Sequence, residues 1–430
     1  MKKQILVIGG GASGMMAAIQ AAREGARVTI LEHMDRVGKK ILSTGNGRCN
    51  LTNLNQAEAY YRCGQKGFVS EALSCFSSED TLVFFKELGI VPKDRNGYIY
   101  PNSDQASSVL DVLRMELEHL NVKILLNCQI QSVRYLDGFT IDTSMGRIEG
   151  DLLILAAGSR AARSTGSDGS GYELARSLGH TIVPPLPALV QLRCREKHYK
   201  QLAGIRTQAH VCLLSRLPGQ AVSPLPGGST SLHNSWSILA EDRGEVQLTD
   251  YGLSGIPIFQ ISRYASISLY RGYPVKVRID FLPQMSWEES GRMLDCRRRQ
   301  MGYKTCEQWM TGLFNKKLNL VLLKLAGIDP GQKAAQLSQA QLEKLLSQIK
   351  TYETDIVSVN PFENAQVCCG GVDTAEVRSQ TMESKKVPGL YFAGEILDVD
   401  GICGGYNLQW AWSSGTLAGR SAARSTQDKA

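Results

Sequence analysis

The chain has 430 residues, 43% of them hydrophobic and 21% charged, which suits an ordinary globular protein with two or three domains and a sizeable core. A formal net charge of +7 is too mild at this length to demand nucleic acid or a membrane surface. The 11 cysteines stand singly except Cys368-Cys369, with no C-x-x-C and no histidine at ligand spacing, so neither a disulfide framework nor a metal is expected.

The longest apolar runs, such as 318–323, are far too short to span a bilayer, and the N-terminus enters a strand at once, so a cytoplasmic protein without a signal peptide is expected. Residues 4–32 read as strand, glycine turn, helix, strand and acid. Gln4–Ile8 is a β-branched run, Gly9, Gly11 and Gly14 stand at G-x-G-x-x-G spacing, and 15–23 repeats apolar residues at helical period. Gly9 permits the tight turn, Gly11 lets backbone touch a pyrophosphate, and Gly14 lets helix and strand pack, with the positive helix end facing the phosphates. Arg27–Leu31 is the next strand. Glu32 closes it about 20 residues after the turn, where a carboxylate accepts from both hydroxyls of an adenosine ribose and repels a 2′-phosphate. Together these features predict a dinucleotide-binding βαβ unit.

The loop 37–53 is polar, turn-rich and cationic. It either covers the dinucleotide, with Arg48, Lys39 or Lys40 near phosphate and Cys49 or Asn50 near what the dinucleotide carries, or is a solvated surface loop. The stretch 70–88 has helical periodicity, 90–100 is extended around Asn96-Gly97, and 103–119 predicts an amphipathic helix capped by Ser103. Segments 122–126, 128–135 and 139–143 alternate like a small meander. The apolar strand 151–155 ends in Ala156-Ala157-Gly158, small enough for backbone to approach a ligand closely. The glycine-rich turn 165–171 opens a helix over 172–178; it either helps to cover the ligand or, the preferred reading, has Gly166, Gly169 and Gly171 only for positive φ.

A stiff connector at 183–187 leads into short strands and turns over 189–281, with 213–231 as a hairpin tip or loose loop. In 249–255, Asp250 and Tyr251 either face a substrate or form an Asx-type turn around a packed tyrosine. The segment 286–349 is helical. Its Arg297, Arg298 and Arg299 read as a solvated surface before an RNA contact, since no aromatic residues interleave with them. Residues 390–393 form a strand ending at Gly394-Glu395, and Glu395, Asp398 and Asp400 are acids a ribityl chain can hydrogen-bond. Gly404, Gly405, Tyr406 and Asn407 open a last helix whose dipole would sit beside flavin N1 and O2.

VIGGGASGMMAA (7–18), STGNGRCNLTN (43–53), LAAG (155–158) with TGSDGSGYELARSLGH (165–180), TDYGLSG (249–255) and TMESKKVPGLYFAGEILDVDGICGGYNLQWAWSSG (381–415) together resemble the BaiN-like FAD-dependent oxidoreductases, also labelled aminoacetone-oxidase-like. The resemblance covers nearly the whole chain. It implies an α/β fold: a doubly wound FAD-binding Rossmann-like domain at 1–188 and 354–430, interrupted by a barrel-like β-rich domain at 189–283 and a small helical domain at 284–353. It implies FAD contacts from Ala12, Ser13, Glu32, Arg48, Cys49, Asn50, Ile130, Ala157, Gly158, Gly394, Glu395, Asp398, Gly404, Gly405, Tyr406, Asn407 and Leu408, which join Gly9, Gly11, Gly14 and Lys40 of the glycine turn and the cationic loop as cofactor-binding candidates. The chain departs from the family pattern at Asp250, Ile256-Pro257 and Ile402-Cys403, on the side assigned to substrate.

The implied activity is NAD(P)H-linked reduction of conjugated C=C bonds in 3-oxo steroid or bile-acid substrates, by hydride from flavin N5, with Tyr251 polarising the carbonyl or returning a proton. Alternatives are a flavin oxidase of small amines or amino ketones, an FAD protein that binds or modifies tRNA, and a structural role for FAD. An apolar small molecule is the expected partner; nucleic acid and membrane are not, and the residues leave the oligomeric state open.

Overall fold

Short β-branched segments separated by helices satisfy their backbone groups by lining up side by side, and in the computed structural model five of them form a parallel sheet. Its order is Leu390–Phe392, Leu152–Leu155, Gln4–Ile8, Arg27–Leu31, Lys123–Leu125. Residues 4–216 and 236–425 are described, and the chain divides into two units, Met1–Leu186 with Ala365–Ala430, and Pro187–Asn364. The parallel sheet belongs to the first unit. Ile5, Leu6, Val7, Leu153, Ile154 and Leu155 are completely buried, as in a strand covered on both faces.

The chain runs outward from Gln4–Ile8 through the next two strands of the sheet and then returns to its other side, so Gln4–Ile8 and Leu152–Leu155 flank the point where strand order reverses. Because neighbours are parallel, their carboxyl ends share one edge. Gly9, Glu32, Ala156 and Ala393 are the first residues beyond it.

Helix Ala12–Arg23 packs against the C-terminal helix Tyr406–Arg424. Their approach is set by glycine: a Cβ on Gly415 would stand 2.5 Å from the Ser13 carbonyl oxygen, and one on Gly419 2.2 Å from that of Ala17. Arg420 Nε adds a hydrogen bond of 3.0 Å to Gln20 Oε1. The two chain ends therefore form one packing unit.

Several expectations need correction. The periodic stretch 70–88 is two helices, Phe68–Cys75 and Ser78–Glu87, because Ser77 Oγ accepts from the Asp80 N–H while Asp80 accepts from the Ser77 N–H, which starts a new helix. Helix Ala106–His119 starts after Gln105, not at Ser103, whose hydroxyl pairs with Ser108 instead. Lys123–Leu125 leaves the meander for the parallel sheet, where Ile124 and Leu125 lie in register with Ile30 and Leu31. The meander is Ile130–Tyr135, Phe139–Thr143 and Gly146–Gly150. The connector 183–187 lies inside a strand, Ile182–Ala188, paired with Val367–Val372; a two-stranded ribbon tolerates prolines, which cannot donate to a ladder.

In the second unit six strands close into a barrel in the order Leu192–Cys194, Gly252–Ser254, Ser237–Leu248, Ile205–Ser215, Val275–Asp280, Tyr352–Val359. Val211, Leu213, Val246, Val277 and Ile279 alternate into its buried interior. A helix, Ile256–Tyr270, interrupts the region read as strands and turns. Helices Trp287–Met301, Cys306–Met310, Lys316–Leu325 and Gln339–Lys350 share one buried apolar cluster with the barrel, so strands and helices make a single unit. The stretch 213–231 begins as the end of Ile205–Ser215, and from 217 it lies outside the described residues. The arginine run serves the unit's own backbone: Arg297 donates to the carbonyls of Trp309 and Thr311, and Arg298 to that of Leu337. Among the described residues no helix is long and apolar enough to cross a membrane.

Candidate dinucleotide site

At the carboxyl edge of the parallel sheet, the turn after Ile8 is shaped by what its neighbours exclude. Gly9 has φ 100°, and a Cβ there would stand 2.4 Å from the Ala156 carbonyl oxygen; one on Gly14 would stand 1.9 Å from the Gly9 oxygen. Gly11 has nothing within 4 Å of its Cβ direction, so its backbone lies clear for a ligand. Helix Ala12–Arg23 begins on Gly11 without a side-chain cap, which leaves its first N–H groups for an anion. Glu32 is fixed in place: the Gly10 N–H donates to Oε2 at 2.7 Å and the Met34 N–H to Oε1 at 2.8 Å. An ionised carboxylate accepts about four hydrogen bonds, so the anchored Glu32 keeps capacity for ribose hydroxyls.

Beyond Leu155, Ala157 and the left-handed Gly158, φ 72°, lead to Ser159, whose hydroxyl donates to Glu395 Oε2 at 3.0 Å. Lys40 Nζ reaches the same oxygen at 2.6 Å. Lys40 thus holds Glu395. Gly394 takes φ 79°, and a Cβ on it would lie 2.3 Å from Ser13 Oγ; its N–H donates to Ser414 and its carbonyl accepts from Trp410 Nε1. Asp398 is buried and accepts from the Gly370 N–H at 3.0 Å. The buried Tyr172 hydroxyl has no hydrogen-bond partner among the described residues. Burial, followed by the nearby Cys368, Glu395 and Asp398, pushes its pKa well up.

The loop 37–53 is tied to the start of the last helix. With its amide oriented to satisfy both ends, Asn50 accepts from the Gly405 N–H at 3.1 Å and donates to the carbonyls of Thr52 and Ile99 at 3.0 Å. Asn53 donates to the Gly404 carbonyl at 3.1 Å, Asn407 both donates to and accepts from the backbone of Gly401, and the Tyr406 hydroxyl donates to Asn55. Gly405, φ 92°, has no room for a Cβ, which would meet the Thr52 backbone at 2.7 Å. Helix Tyr406–Arg424 thus also begins at a glycine without a side-chain cap.

Three candidates sit differently from their neighbours. Cys49 is fully buried, and burial pushes its thiol up to about 12, so it is a neutral packing group and no nucleophile. Arg48 is exposed, its charge bearing on Tyr100 and Asp104. Ile130 follows Cys128, whose N–H donates to the Glu32 carbonyl at 2.9 Å. Ala12 and Leu408 are half-buried at the starts of their helices. Gly10, Asn53 and Ser159 carry contacts of the site that spacing did not single out, because each acts on a residue distant in sequence.

The family model described as HI0933-like protein Rossmann domain matches residues 3–421. The chain belongs to this family. It is an oxidoreductase. It is 47% identical to the 3-dehydro-bile acid delta(4,6)-reductase of Clostridium scindens, over 98% of this chain and 99% of that one. It is 30% identical to the ribosomal RNA dihydrouridine synthases of Haemophilus influenzae and Escherichia coli, over 95% of this chain in each case and 96% and 95% of theirs.

FAD is the group that likeness to BaiN-like members of the family implies, and the residues present fit an extended dinucleotide. Gly11 offers clear backbone, two uncapped helix starts and an anchored carboxylate belong to the same unit, and the orphan Tyr172 hydroxyl needs a polar partner. All the cofactor candidates lie in the first unit, whereas Tyr251 lies in the second. There the turn is made by Thr249, whose hydroxyl accepts from the Gly252 N–H at 3.1 Å, and not by an Asx turn of Asp250. The Tyr251 oxygen accepts from Asn360 Nδ2 at 3.1 Å, and the Arg193 guanidinium lies 4.9 Å from its ring centroid.

Proposed function

We propose that this protein is an FAD-dependent reductase, refilled by NAD(P)H, of the conjugated C=C bond in a 3-oxo steroid or bile-acid substrate. The observation that carries the reading is the gathering of Gly11, Glu32, Ala157 and Gly394 on one sheet edge, in the unit whose Asn50 ties the first loop to the last helix. The relatives support the chemistry. A bile-acid delta(4,6)-reductase and a dihydrouridine synthase are both named for adding hydrogen to a C=C bond, and the bile-acid relative is the more similar of the two kinds at 47% against 30%.

FAD, when bound, supplies the two-electron hydride chemistry. Glu32 is assigned to the ribose, and the N–H groups opening helix Ala12–Arg23 to the pyrophosphate. Lys40 and Ser159 orient the Glu395 carboxylate as an acceptor. The start of helix Tyr406–Arg424 brings a positive dipole that favours added negative charge. Tyr251 is assigned as the donor to substrate: since Asn360 already donates to its oxygen, the phenol proton remains available, and the Arg193 guanidinium packs against the ring and fixes its place.

Anaerobic titration of the purified holoprotein with NADH and NADPH, followed by a 3-oxo-4-ene bile acid, tests the reading. Bleaching of the flavin and its recovery on adding the steroid are expected. Flavin that neither nucleotide bleaches overturns the refilling step, and recovery with ribosomal RNA in place of the steroid overturns the substrate assignment.

A further inference from the structure

On the outer face of the barrel, strand Ile205–Ser215 turns Val211 and Leu213 inward to the buried cluster, which leaves His210 and Cys212 side by side on the opposite face. Glu241 stands directly across from Cys212 on strand Ser237–Leu248. His210 Nε2 lies 3.8 Å from Cys212 Sγ and 3.4 Å from Glu241 Oε2, and Sγ lies 3.6 Å from that carboxylate oxygen.

Those three separations are close to the edges of one face of a tetrahedron. Zinc bonds of about 2.3 Å to sulfur and about 2.0–2.2 Å to nitrogen and oxygen put tetrahedral donors about 3.3–3.6 Å apart. The donor set is an imidazole, a thiol and a carboxylate, the mixture that zinc accepts and that magnesium or calcium does not favour. A thiolate and a carboxylate together balance a divalent charge. Neighbouring groups on the same face have other partners: Asp280 holds Lys350 at 2.6 Å, and Arg278 donates to Glu353.

We propose that His210, Cys212 and Glu241 form a zinc site that clamps strands Ile205–Ser215 and Ser237–Leu248 together and keeps its fourth position open. Two of the three donors, His210 and Glu241, line a cleft of about 380 Å³ together with Asp242, Arg243, Asp280 and Pro283, where a water or a small ligand can take that position. The site was invisible to spacing because its carboxylate comes from the adjacent strand.

The test is titration of the reduced, full-length holoprotein with Co²⁺, reading the d–d bands to the red of flavin absorption, with Zn²⁺ as competitor. One equivalent bound at micromolar concentration, tetrahedral in its spectrum and displaced by Zn²⁺, is expected, together with a higher thermal midpoint in Zn²⁺. Cys212→Ser removes the thiolate charge-transfer band, and His210→Ala and Glu241→Gln each weaken binding by more than about tenfold. Glu241 is largely exposed, so its variant reports on the site even if Cys212→Ser disturbs folding. Absence of the tetrahedral bands, or bands that survive in both His210→Ala and Glu241→Gln, overturns the proposal, the second result showing that other cysteines take the ion.

Discussion

In the unit built on the parallel sheet, many of the groups offered to a ligand are backbone N–H groups, left clear at Gly11 and uncapped where helices Ala12–Arg23 and Tyr406–Arg424 begin; in the barrel unit they are side chains brought together from separate segments, Tyr251 with Asn360 and His210 with Cys212 and Glu241. The difference governs how each site fails. A backbone site depends on the absence of atoms, so adding one methyl group destroys it. A side-chain site depends on partners, so removing one functional group silences it while the fold survives.

The largest effect is expected at Gly14, where the Cβ of Gly14→Ala would stand 1.9 Å from the Gly9 carbonyl oxygen, a backbone atom that cannot step aside as a flexible side chain would. A destabilisation of at least about 4 kcal/mol, with colourless or insoluble protein, should appear in denaturant melts; a yellow, stable variant would break the contrast. Next comes Tyr251→Phe, which keeps the ring under Arg193 and removes the proton. Turnover should fall by about 10²–10⁴ with KM little changed, whereas unaltered kcat would make the tyrosine a packing residue.

Glu32→Gln retains an acceptor but gives up the anion, so FAD affinity measured on the apoprotein should drop about 10–100-fold, in line with about 1.5–3 kcal/mol for hydrogen bonds to a charged group. Glu376 sharpens the picture through pH. Burial works against its ionisation, yet Lys386 Nζ at 2.6 Å and the Thr181 N–H at 3.0 Å hold the carboxyl down at about 2. A depressed folded value means that its contribution is complete above the ordinary carboxylate value of 4.5 and is lost as pH falls from there towards about 2. Glu376→Gln should therefore remove about 2 kcal/mol of acid sensitivity, read from denaturation at about pH 6 and about pH 3.

The smallest effect separates the neighbouring arginines. Arg297→Ala loses donors to two backbone carbonyls and should cost about 1 kcal/mol, whereas Arg299, largely exposed and paired with Asp295, can be replaced without moving the denaturation midpoint. Equal effects of the two would show that the run is a solvated surface after all.

The sequence by itself determined the glycine turn, the acid at Glu32 and the glycine start of the last helix, because each is a local requirement: a positive φ, an uncovered N–H, or a carboxylate at the end of the next strand. Local signals also placed most strands and helices of the first unit, and missed where Ser77 divides a periodic stretch or where Lys123–Leu125 changes sheet. Those outcomes depend on a reciprocal cap and on register with a distant strand. The tertiary structure alone decided that Lys40 holds Glu395, that Asn50 receives Gly405, that Asn360 serves Tyr251, and that Glu241 completes His210 and Cys212. Each joins residues far apart in the chain, and no period or spacing encodes the closing of a barrel or the meeting of two chain ends.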